Sequence, residues 1–284
     1  MKITKMHGAG NDFVIVDKRD GSLRREALPT LARRLCASHT GVGADGMMVV
    51  IPAEKGGDYG MLFFNSDGSL GEMCGNGARC ICRWGCEHGL AGERQRVETT
   101  AGLVTGERVD RSRYRVRLND PSLIDLHRTV RVDGTVYDCA YVELGDPGIP
   151  HAVLLLPDWD VRERESLRTL GAALRNDAAF PKGANVSFVK RSDPDAVKAV
   201  TYERGVEDFT LACGTGCGSI AAALALSGLT SGGALKVIMP GGELSVSLTN
   251  DAGVIRDIFL TGPTCVVLEG EVSDELLEGL CTTF

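Results

Sequence analysis

The chain has 284 residues, a formal net charge of −7 at pH 7, 43% hydrophobic residues and 24% charged residues. These values are typical of a globular protein with one large or two medium domains, and the negative charge argues against nucleic acid or an anionic membrane as partner. The first residues contain no apolar signal-peptide core, and no run approaches the roughly 20 apolar residues that span a bilayer. We therefore expect a cytoplasmic protein.

Ten cysteines are many for such a chain. In a reducing compartment we expect them to be free thiols, ligands or catalytic groups rather than disulfides. The sequence has no Cys-x-x-Cys pair and no zinc-ribbon spacing, so no metal site is predicted. Eight of the ten are interpreted as small buried hydrophobic residues. The other two, Cys74 and Cys213, each stand directly before Gly-x-Gly.

In chain order, residues 2–17 predict a strand, a glycine-rich turn and a second strand. Asn11 lies in that turn, where it either projects an amide into a site or only favours the turn, and spacing alone leaves both open. Helical periodicity follows over 24–39. The next glycine-rich loop, Gly41–Gly46, precedes a strand at Met47–Ile51, which is the opposite order to a nucleotide-binding fingerprint. A strand over 59–65 ends at Asn65.

The first cysteine loop comes next and leads into a predicted helix at Ala78–His88. His151 follows a turn rich in glycine and proline, where it could act on a substrate or serve the structure. The second cysteine loop leads into a predicted helix at Cys217–Leu226. The other predicted elements are strand-like segments at 94–105 and 113–118, a crossover at 119–122, two strands within 129–144, a helix at 160–176, and strands at 152–156, 197–204, 235–239, 244–248, 255–260 and 264–270.

The two halves of the chain resemble each other. Each has a cysteine before Gly-x-Gly and a helix, and Asn65 and Arg204 stand at the same distance before the two cysteines. Asn11 and Asn185 also stand in similar contexts, each shortly before Phe-Val. This pattern predicts duplication of one α/β unit. The equivalent loops would then meet in a cleft between two domains, a common place for a ligand.

The chemistry of the two cysteine loops suits inversion at a carbon atom. A thiol at a helix N-terminus is expected to have a lowered pKa, and glycines let backbone N–H groups approach an anion. One thiolate can remove a proton from Cα while the other thiol delivers a proton to the opposite face. A cysteine hydrolase would instead use one nucleophile with a histidine partner, whereas this chain has two equivalent cysteines. A redox pair would need two sulfurs at bonding distance, and we interpret such a bond as a side reaction rather than the function. No cofactor motif is present, so no cofactor is predicted.

Several motifs of the chain are similar to those of a known family. The chain resembles the diaminopimelate epimerase family of PLP-independent epimerases over essentially its full length. The resemblance rests on five segments of the sequence: Lys5–Phe13, Phe64–Ser69, Met73–Arg79, Glu203–Gly205 and Ala212–Gly216.

That resemblance implies an α/β (α+β) fold of two pseudo-symmetric domains, each a sheet wrapped around a central helix, with the active site in the interdomain cleft. The implied domains are 1–118 plus 265–284 and 119–264. The implied activity interconverts LL- and meso-diaminopimelate, a small amino-acid substrate, for lysine and peptidoglycan precursor synthesis. A homodimer is expected by the same resemblance.

The resemblance also assigns roles to individual residues. Cys74 and Cys213 match the base and acid. The remaining matches comprise a backbone cradle for the reacting carboxylate (Gly75, Asn76, Gly214, Thr215), residues that hold the distal end of the substrate (Asn65, Asn185, Arg204), a contact to the α-ammonium (Glu203), a further substrate contact (Asn11) and a histidine that lines the site (His151).

Two positions depart from the family pattern. Ile149 stands where many members have an asparagine that helps to bind the distal end of the substrate, and Gly46 stands where many have glutamine. The reaction type is unaffected, but loss of a polar partner can redirect selectivity. The alternative function is therefore racemisation or epimerisation of another amino acid on the same scaffold. A non-catalytic alternative is a cysteine-rich metal-binding or redox-sensing protein.

Overall fold

The computed structural model describes residues 1–21, 24–71 and 74–280. The chain forms two compact units, unit 1 with Met1–Val116 and the residues from Gly262 onward, and unit 2 with Arg117–Thr261. The domain ranges given above stay a prediction. Met73, which belongs to one of the five family-like segments, lies outside the described residues. The same holds for the last four residues of the first predicted domain, which include Cys281.

Unit 1 begins with strands and two α-helices. The elements are β1 (Lys2–Gly8), β2 (Asn11–Asp17), a 3₁₀ helix (Arg25–Ala27), α1 (Leu28–Cys36), β3 (Gly46–Ile51), β4 (Tyr59–Asn65), β5 (Leu70–Gly71), α2 (Gly75–Glu87), β6 (Arg94–Thr99), β7 (Gly102–Arg108) and β8 (Arg113–Arg117).

Unit 2 and the C-terminal return to unit 1 follow. The elements are β9 (Pro121–Val132), β10 (Thr135–Leu144), β11 (Ile149–Leu155), a 3₁₀ segment (Val161–Leu167), α3 (Arg168–Arg175), β12 (Asn185–Asp193), β13 (Ala196–Glu203), β14 (Asp208–Phe209), α4 (Gly214–Leu226), β15 (Leu235–Met239), β16 (Gly242–Asp251), β17 (Val254–Pro263), β18 (Cys265–Glu271) and α5 (Asp274–Leu277).

The strand order is the same in both units. Unit 1 pairs its strands as β18-β1-β2-β3-β4-β6-β7-β8, with β2–β3 and β4–β6 parallel. Unit 2 pairs its strands as β9-β10-β11-β12-β13-β15-β16-β17, with β11–β12 and β13–β15 parallel. The short strands β5 and β14 pair with β4 and β13 respectively. The predicted duplication of one α/β unit is therefore confirmed.

Strand register corrects one detail of that repeat. Phe13 of β2 pairs with Gly46 of β3, and His151 of β11 pairs with Asn185 of β12. Asn185 is therefore the counterpart of Gly46. Asn11, the first residue of β2, is the counterpart of Ile149, the first residue of β11. The predicted match between Asn11 and Asn185 is wrong, because the two residues begin different strands of the repeated order.

The C-terminal ends of β4 and β13 show that the predicted match between Asn65 and Arg204 is also wrong. β4 ends at Asn65 and β13 ends at Glu203. The turn that follows is one residue longer in unit 2, since Phe64 pairs with Leu70 whereas Tyr202 pairs with Phe209. Glu203, rather than Arg204, is thus the counterpart of Asn65.

A buried helix forms the centre of each unit. α2 is buried from Gly75 through Cys82 and contacts β1, β2 and β7. α4 is buried at most positions through Leu224 and contacts β10, β11, β12 and β16. Its Ala-rich sequence has no charged residue, which suits a helix that is covered on all sides. The predicted arrangement of a sheet around a central helix is confirmed in both units.

Both central helices begin three residues earlier than predicted. The carbonyl of Cys74 accepts the Ala78 N–H at 2.7 Å, and the carbonyl of Cys213 accepts the Cys217 N–H at 3.0 Å. Each catalytic candidate is consequently the N-cap residue of its helix, with extended backbone angles. The glycines that follow are inside the helices, where burial compensates for their low helix propensity.

Other elements also differ from prediction. The segment 94–105 is a hairpin rather than one strand, because the chain turns between β6 and β7 and Gly102 adopts a positive φ of 104°. The predicted helix 160–176 is divided into a 3₁₀ segment and the shorter α3. The short elements β5, β14 and α5 have too few residues to give a periodic signal.

The described cysteines are free thiols. Apart from the two catalytic candidates, most are buried as predicted, namely Cys36, Cys80, Cys82, Cys139 and Cys217. Cys86 is half-buried, and Cys265 is exposed on β18, so the prediction of burial is wrong for Cys265. Along the described ranges, no helix has the length and apolar character needed to cross a membrane.

Candidate active site

Cys74 stands directly before α2 and contacts Asn11, the first residue of β2. Its Sγ donates a hydrogen bond to Oδ1 of Asn11 at 3.2 Å. The same oxygen accepts a hydrogen bond from Nδ2 of Asn76, at 3.4 Å. The structure thus brings together Cys74, Asn11 and Asn76, three residues that sequence reasoning placed in the site.

The amide of Asn11 is itself held by a second loop. Its Nδ2 donates to Oδ2 of Asp45 at 2.6 Å, and that carboxylate oxygen also accepts the Asp12 N–H at 3.1 Å. In return, Oδ1 of Asp12 accepts the Asp45 N–H at 2.9 Å, and Asp12 forms an ion pair with Lys5 at 3.0 Å. Sequence reasoning assigned no role to Asp45, Asp12 or Lys5, because the contacts of Asp45 join two loops that lie far apart in the chain.

Arg79 supports the same loop from inside unit 1. Its side chain is fully buried on α2. Nη2 donates to Oδ1 of Asn76 at 2.9 Å, and Nη1 donates to the carbonyl of Gly75 at 3.3 Å. A buried guanidinium is costly to desolvate, and its hydrogen bonds to Asn76 and Gly75 offset part of that cost while they hold the cysteine loop in place. Its place within the Gly-Ala-Arg sequence after the cysteine was the available signal.

Asn65 lies at the exposed end of β4. Its Nδ2 donates to Oγ of Ser69 at 2.9 Å, and its backbone N–H donates to the Ser69 carbonyl at 2.9 Å. These bonds close a tight turn, in which Gly68 has a positive φ of 84°. The side chain is therefore fixed in direction while it remains accessible to a ligand.

Cys213 repeats the position of Cys74 in unit 2 but has different neighbours. Its Sγ accepts the Gly216 N–H at 3.3 Å and lies 3.7 Å from Oγ1 of Thr215. The sulfur is buried, with 6% of the residue exposed. The two helix starts thus share a backbone geometry, but only the second cysteine caps its helix with its own sulfur.

The predicted lowering of the cysteine pKa at the helix start is wrong for Cys213. Burial raises the pKa of its thiol well above the usual range, and the charge of Glu203 raises it further. The hydrogen bonds from Gly216 and Thr215 lower the pKa of Cys213, but by less. Loss of hydration outweighs the helix start here, because removing a thiolate from water is costly.

His151 contacts Thr215, one of the residues predicted to hold the reacting carboxylate. Its Nε2 lies 3.0 Å from Oγ1 of Thr215. The ring is fully buried, and its Nδ1 has no hydrogen-bond partner among the described residues. Burial lowers the pKa of His151 to about 3, with a further effect from the charge of Arg204, so the imidazole is neutral at pH 7. His151 therefore orients Thr215 rather than supplying a positive charge.

Asn185, Glu203 and Arg204 lie together where β12 begins and β13 ends. Nδ2 of Asn185 donates to the Pro150 carbonyl at 3.2 Å, and its Oδ1 accepts the Arg204 N–H at 2.8 Å. The exposed guanidinium of Arg204 donates through Nη1 to the Lys182 carbonyl at 2.8 Å and has no ion-pair partner within the described part of the chain. Oε1 of Glu203 accepts from the Thr210 hydroxyl.

Both cysteine loops lie within the part of the chain that matches a known protein family. A family model described as diaminopimelate epimerase matches residues 3–124 and 145–267. The chain belongs to the diaminopimelate epimerase family. The diaminopimelate epimerase of Aquifex aeolicus (strain VF5) is 40% identical to this chain over 288 residues, which cover 98% of this chain and 100% of that relative. Family membership and the assignment to the isomerases are thereby confirmed.

Solved structures extend the likeness of fold beyond that family. A phenazine biosynthesis protein of the PhzF family from Bacillus anthracis has a TM-score of 0.69 at 16% identity, covering 96% of this chain and 99% of its own. A probable proline racemase from Agrobacterium radiobacter K84, solved with bound carbonate, has a TM-score of 0.67 at 19% identity, covering 99% and 95%. At these identities the likeness concerns the fold alone.

The two departures from the pattern of the diaminopimelate epimerase family have local structural consequences. A Cβ at Gly46 would lie 2.6 Å from Cε2 of Phe63 and 2.7 Å from the Phe64 carbonyl oxygen. The half-buried ring of Phe63 therefore fills the space that a longer side chain at position 46 would need. Ile149 is half-buried at the start of β11 and pairs with Leu144. Within the described ranges, no cluster of His, Cys, Asp and Glu side chains could hold a metal ion.

Proposed function

We propose that this chain epimerises LL-2,6-diaminopimelate to meso-diaminopimelate by acid–base catalysis with two cysteines. The observation that carries the proposal is the repetition of one device. Cys74 and Cys213 each cap a buried helix at the same place in a duplicated unit of the diaminopimelate epimerase family. Duplicated acid–base groups suit a reaction that must work on both faces of one carbon.

In the proposed reaction one sulfur, as thiolate, removes the proton from Cα. The other sulfur, as thiol, then delivers its own proton to the opposite face of the planar intermediate. The configuration is inverted, and the proton that was removed remains on the first sulfur until it exchanges with water. Both steps use only the cysteines, so no cofactor is part of the proposal.

The main energetic difficulty is the weak acidity of the α-proton. Negative charge moves onto the substrate carboxylate as the proton leaves. In the proposal, backbone N–H groups of Gly75, Asn76, Gly214 and Thr215 receive that carboxylate, and each preorganised donor of this kind contributes about 3–4 kcal/mol. The neutral His151 supports this cradle, since it orients the Thr215 hydroxyl without adding a competing charge.

The remaining site residues are proposed to hold the two amino-acid ends. The guanidinium of Arg204 is exposed and suits the distal carboxylate as a charged fork. Asn65 and Asn185 lie at exposed or strand-end positions with fixed amides, and Glu203 offers a negative charge to the α-ammonium. Asn11 contributes its amide to the site beside Cys74.

The setting in the cell is part of the same proposal. The reaction would supply meso-diaminopimelate for lysine and peptidoglycan precursors in the cytoplasm. The enzyme would act as a homodimer on a small molecule, without nucleic acid or membrane as partner. Sedimentation of the purified protein tests the dimer, and a monomer at micromolar concentration would contradict it.

Proton exchange in D₂O tests the assignment of the substrate. The full chain, kept reduced, is incubated with LL-diaminopimelate and with a panel of L-amino acids, and deuterium at Cα is followed by NMR together with inversion. The proposal expects exchange and inversion of diaminopimelate, with the other amino acids inert. Exchange of another amino acid while diaminopimelate stays protiated would contradict it.

A second candidate function is racemisation or epimerisation of another amino acid by the same two cysteines. It is favoured by Ile149, an apolar side chain where many family members have asparagine. It is also favoured by the ring of Phe63, which fills the space beside Gly46. Both substitutions make the site less polar. The same D₂O panel separates the two candidates, because only the identity of the exchanging amino acid differs.

A further inference from the structure

The loop that contains Asp45 is joined to the loop that contains Asn11 by reciprocal hydrogen bonds. The Asp45 carboxylate accepts the Asp12 N–H, and the Asp12 carboxylate accepts the Asp45 N–H. The ammonium of Lys5 contacts Asp12 and the Gly43 carbonyl, so it links the same two loops a third time. The position of Asp45 relative to Asn11 is therefore well defined.

This contact determines which way the Asn11 amide faces. A carboxylate accepts hydrogen bonds and cannot donate them, so the amide atom that lies 2.6 Å from Oδ2 of Asp45 must be the nitrogen. The amide oxygen then faces the other way, toward Cys74. An asparagine without such a partner could turn over and present its nitrogen to the sulfur instead.

The other contacts of Oδ1 of Asn11 agree with this orientation. Nδ2 of Asn76 donates to that oxygen, and the amide of Asn76 is oriented in turn by Arg79, whose Nη2 donates to its oxygen at 2.9 Å. Asn11 and Asn76 are thus fixed from opposite sides, by a carboxylate and by a buried guanidinium. The oxygen of Asn11 is left as an acceptor directed at Cys74 Sγ, 3.2 Å away.

An acceptor beside a sulfur favours the thiol over the thiolate. The oxygen can accept the S–H proton, whereas it would repel a negatively charged sulfur. At the position of Asn11, unit 2 has Ile149, whose side chain cannot accept a hydrogen bond, and the sulfur of Cys213 accepts the Gly216 N–H. The described contacts of the two sulfurs therefore differ, since one is to an amide oxygen and the other is to a backbone N–H.

We propose that Asp45 is a positioning residue that holds the Asn11 amide with its oxygen toward Cys74, so that Cys74 carries a proton in the free enzyme. Resting on the proposed function, this makes Asp45 a residue that determines the starting protonation state of one of the two sulfurs. Asp45 acts only through Asn11 and is not itself a catalytic residue.

The charged and titratable groups around Cys74 in the described part of unit 1 lie on α2, on β1 and in the two loops. They are Arg79, Cys80, Lys5, Asp12 and Asp45. Any variant that removes one of these charges also changes the field at the sulfur. The test therefore needs a variant that removes the charge of Asp45 but keeps its acceptor oxygen.

Alkylation of Cys74 in the free enzyme measures its proton directly. Iodoacetamide reacts with the thiolate, and trypsin releases residues 56–79 as a peptide in which Cys74 is the single cysteine. In Asp45→Ala the Asn11 amide is released and can donate to the thiolate. The midpoint of the pH profile of alkylation is expected to fall by about one unit, which makes alkylation about tenfold faster below the midpoint.

Two matched variants separate the amide orientation from charge and from loop loosening. Asp45→Asn removes the charge but keeps one oxygen that can accept both N–H groups, so it is expected to restore the wild-type midpoint. Asp12→Ala removes the other half of the loop contact but leaves Asp45 on Asn11, and it too is expected to keep that midpoint. Asn11→Ala removes the acceptor itself and is expected to lower the midpoint.

The proposal is overturned if Asp45→Ala keeps the wild-type midpoint, or if Asp45→Asn or Asp12→Ala lowers it as far as Asp45→Ala does. Should Asp45→Ala fail to fold, Asn11→Ala decides the question, since an unchanged midpoint there also overturns it. No substrate is needed, so this result stands apart from the proposed function, which fails only if turnover of diaminopimelate is absent.

Discussion

The two cysteine loops have the same backbone and different surroundings. Cys74 and Cys213 each cap a 13-residue buried helix, with backbone angles φ −122°, ψ 120° and φ −113°, ψ 108°. Cys74 donates its proton to an amide oxygen, whereas Cys213 accepts a backbone N–H. Duplication has preserved the scaffold that places the sulfurs, while substitution at equivalent strand positions has made their chemistry unequal.

The unequal surroundings come from a small number of paired positions. Asn11 in unit 1 corresponds to Ile149 in unit 2, and Phe13 corresponds to His151. The ring of Phe13 packs beneath Gly77, while the ring of His151 bonds to Thr215. The two units therefore share a fold but place different side chains at equivalent positions near the cysteines.

The largest expected effect comes from replacing either of the two cysteines that the units share. Cys74→Ala and Cys213→Ala should each lower kcat for epimerisation by about 10³-fold or more, because each step loses its only proton carrier. Racemisation assays by chiral chromatography measure this loss. The exposed Cys265→Ala is the control and should retain activity. Near-normal turnover by either of the first two variants would exclude a two-cysteine mechanism.

Removal of Arg204 should have the next largest effect. Arg204→Ala should raise KM for a substrate with a distal carboxylate about 10- to 100-fold, since a hydrogen bond to a charged group contributes about 1.5–3 kcal/mol. Steady-state kinetics with diaminopimelate measures the change. Arg191→Ala removes another exposed arginine of unit 2 that bonds to a backbone carbonyl, and it should leave KM unchanged. Equal KM values for both variants would remove Arg204 from the binding site.

His151 gives a pH-dependent difference between the units. Its pKa is lowered to about 3 in the folded chain from an ordinary value of 6.5. The unfolded chain therefore binds more protons between these values, so the contribution of His151 to stability is present above pH 6.5 and is lost as pH falls toward 3.

Replacement of His151 by phenylalanine, the residue at the equivalent position of unit 1, removes this titration. Between pH 6 and pH 4 the wild type should lose about 1.4 kcal/mol more unfolding free energy per pH unit than His151→Phe. Urea unfolding at several pH values measures both slopes, and His127→Phe, at an exposed histidine, should keep the wild-type slope. Parallel slopes for the wild type and His151→Phe would show that His151 titrates normally.

The smallest expected effect makes unit 2 more like unit 1. Ile149→Asn places an amide at the counterpart of Asn11 and should lower KM for diaminopimelate by about fivefold, the value of one hydrogen bond of about 1 kcal/mol. Ile149→Val is the control and should leave KM within twofold. A higher KM in Ile149→Asn would indicate that the apolar side chain is suited to a different amino acid.

The sequence was sufficient for the scaffold of the site. The two Cys-Gly-x-Gly segments, the alternating strands and the apolar helix after Cys213 were visible in short windows, because each depends on local periodicity or a local motif. The same information placed the catalytic candidates at helix starts. The predicted N-terminus of each helix was three residues too late, because glycine has low helix propensity and burial of the helix overrides that propensity.

Long-range contacts and burial account for the rest. The equivalence of Asn11 with Ile149 depends on strand register, which no local pattern specifies. The role of Asp45 depends on two loops that meet only in the folded chain. The raised pKa of Cys213 depends on loss of hydration, which outweighs the local effect of the helix that the sequence did suggest.

The most direct test of two-cysteine catalysis follows the origin of the new proton. LL-diaminopimelate is incubated with the reduced enzyme in D₂O, and deuterium at Cα is measured early in the reaction, in both the recovered substrate and the meso product. If separate sulfurs act on the two faces, the product should carry deuterium from the start, while recovered substrate remains protiated. Product that retains the original proton would show that one group both removes and returns it, and would contradict the account.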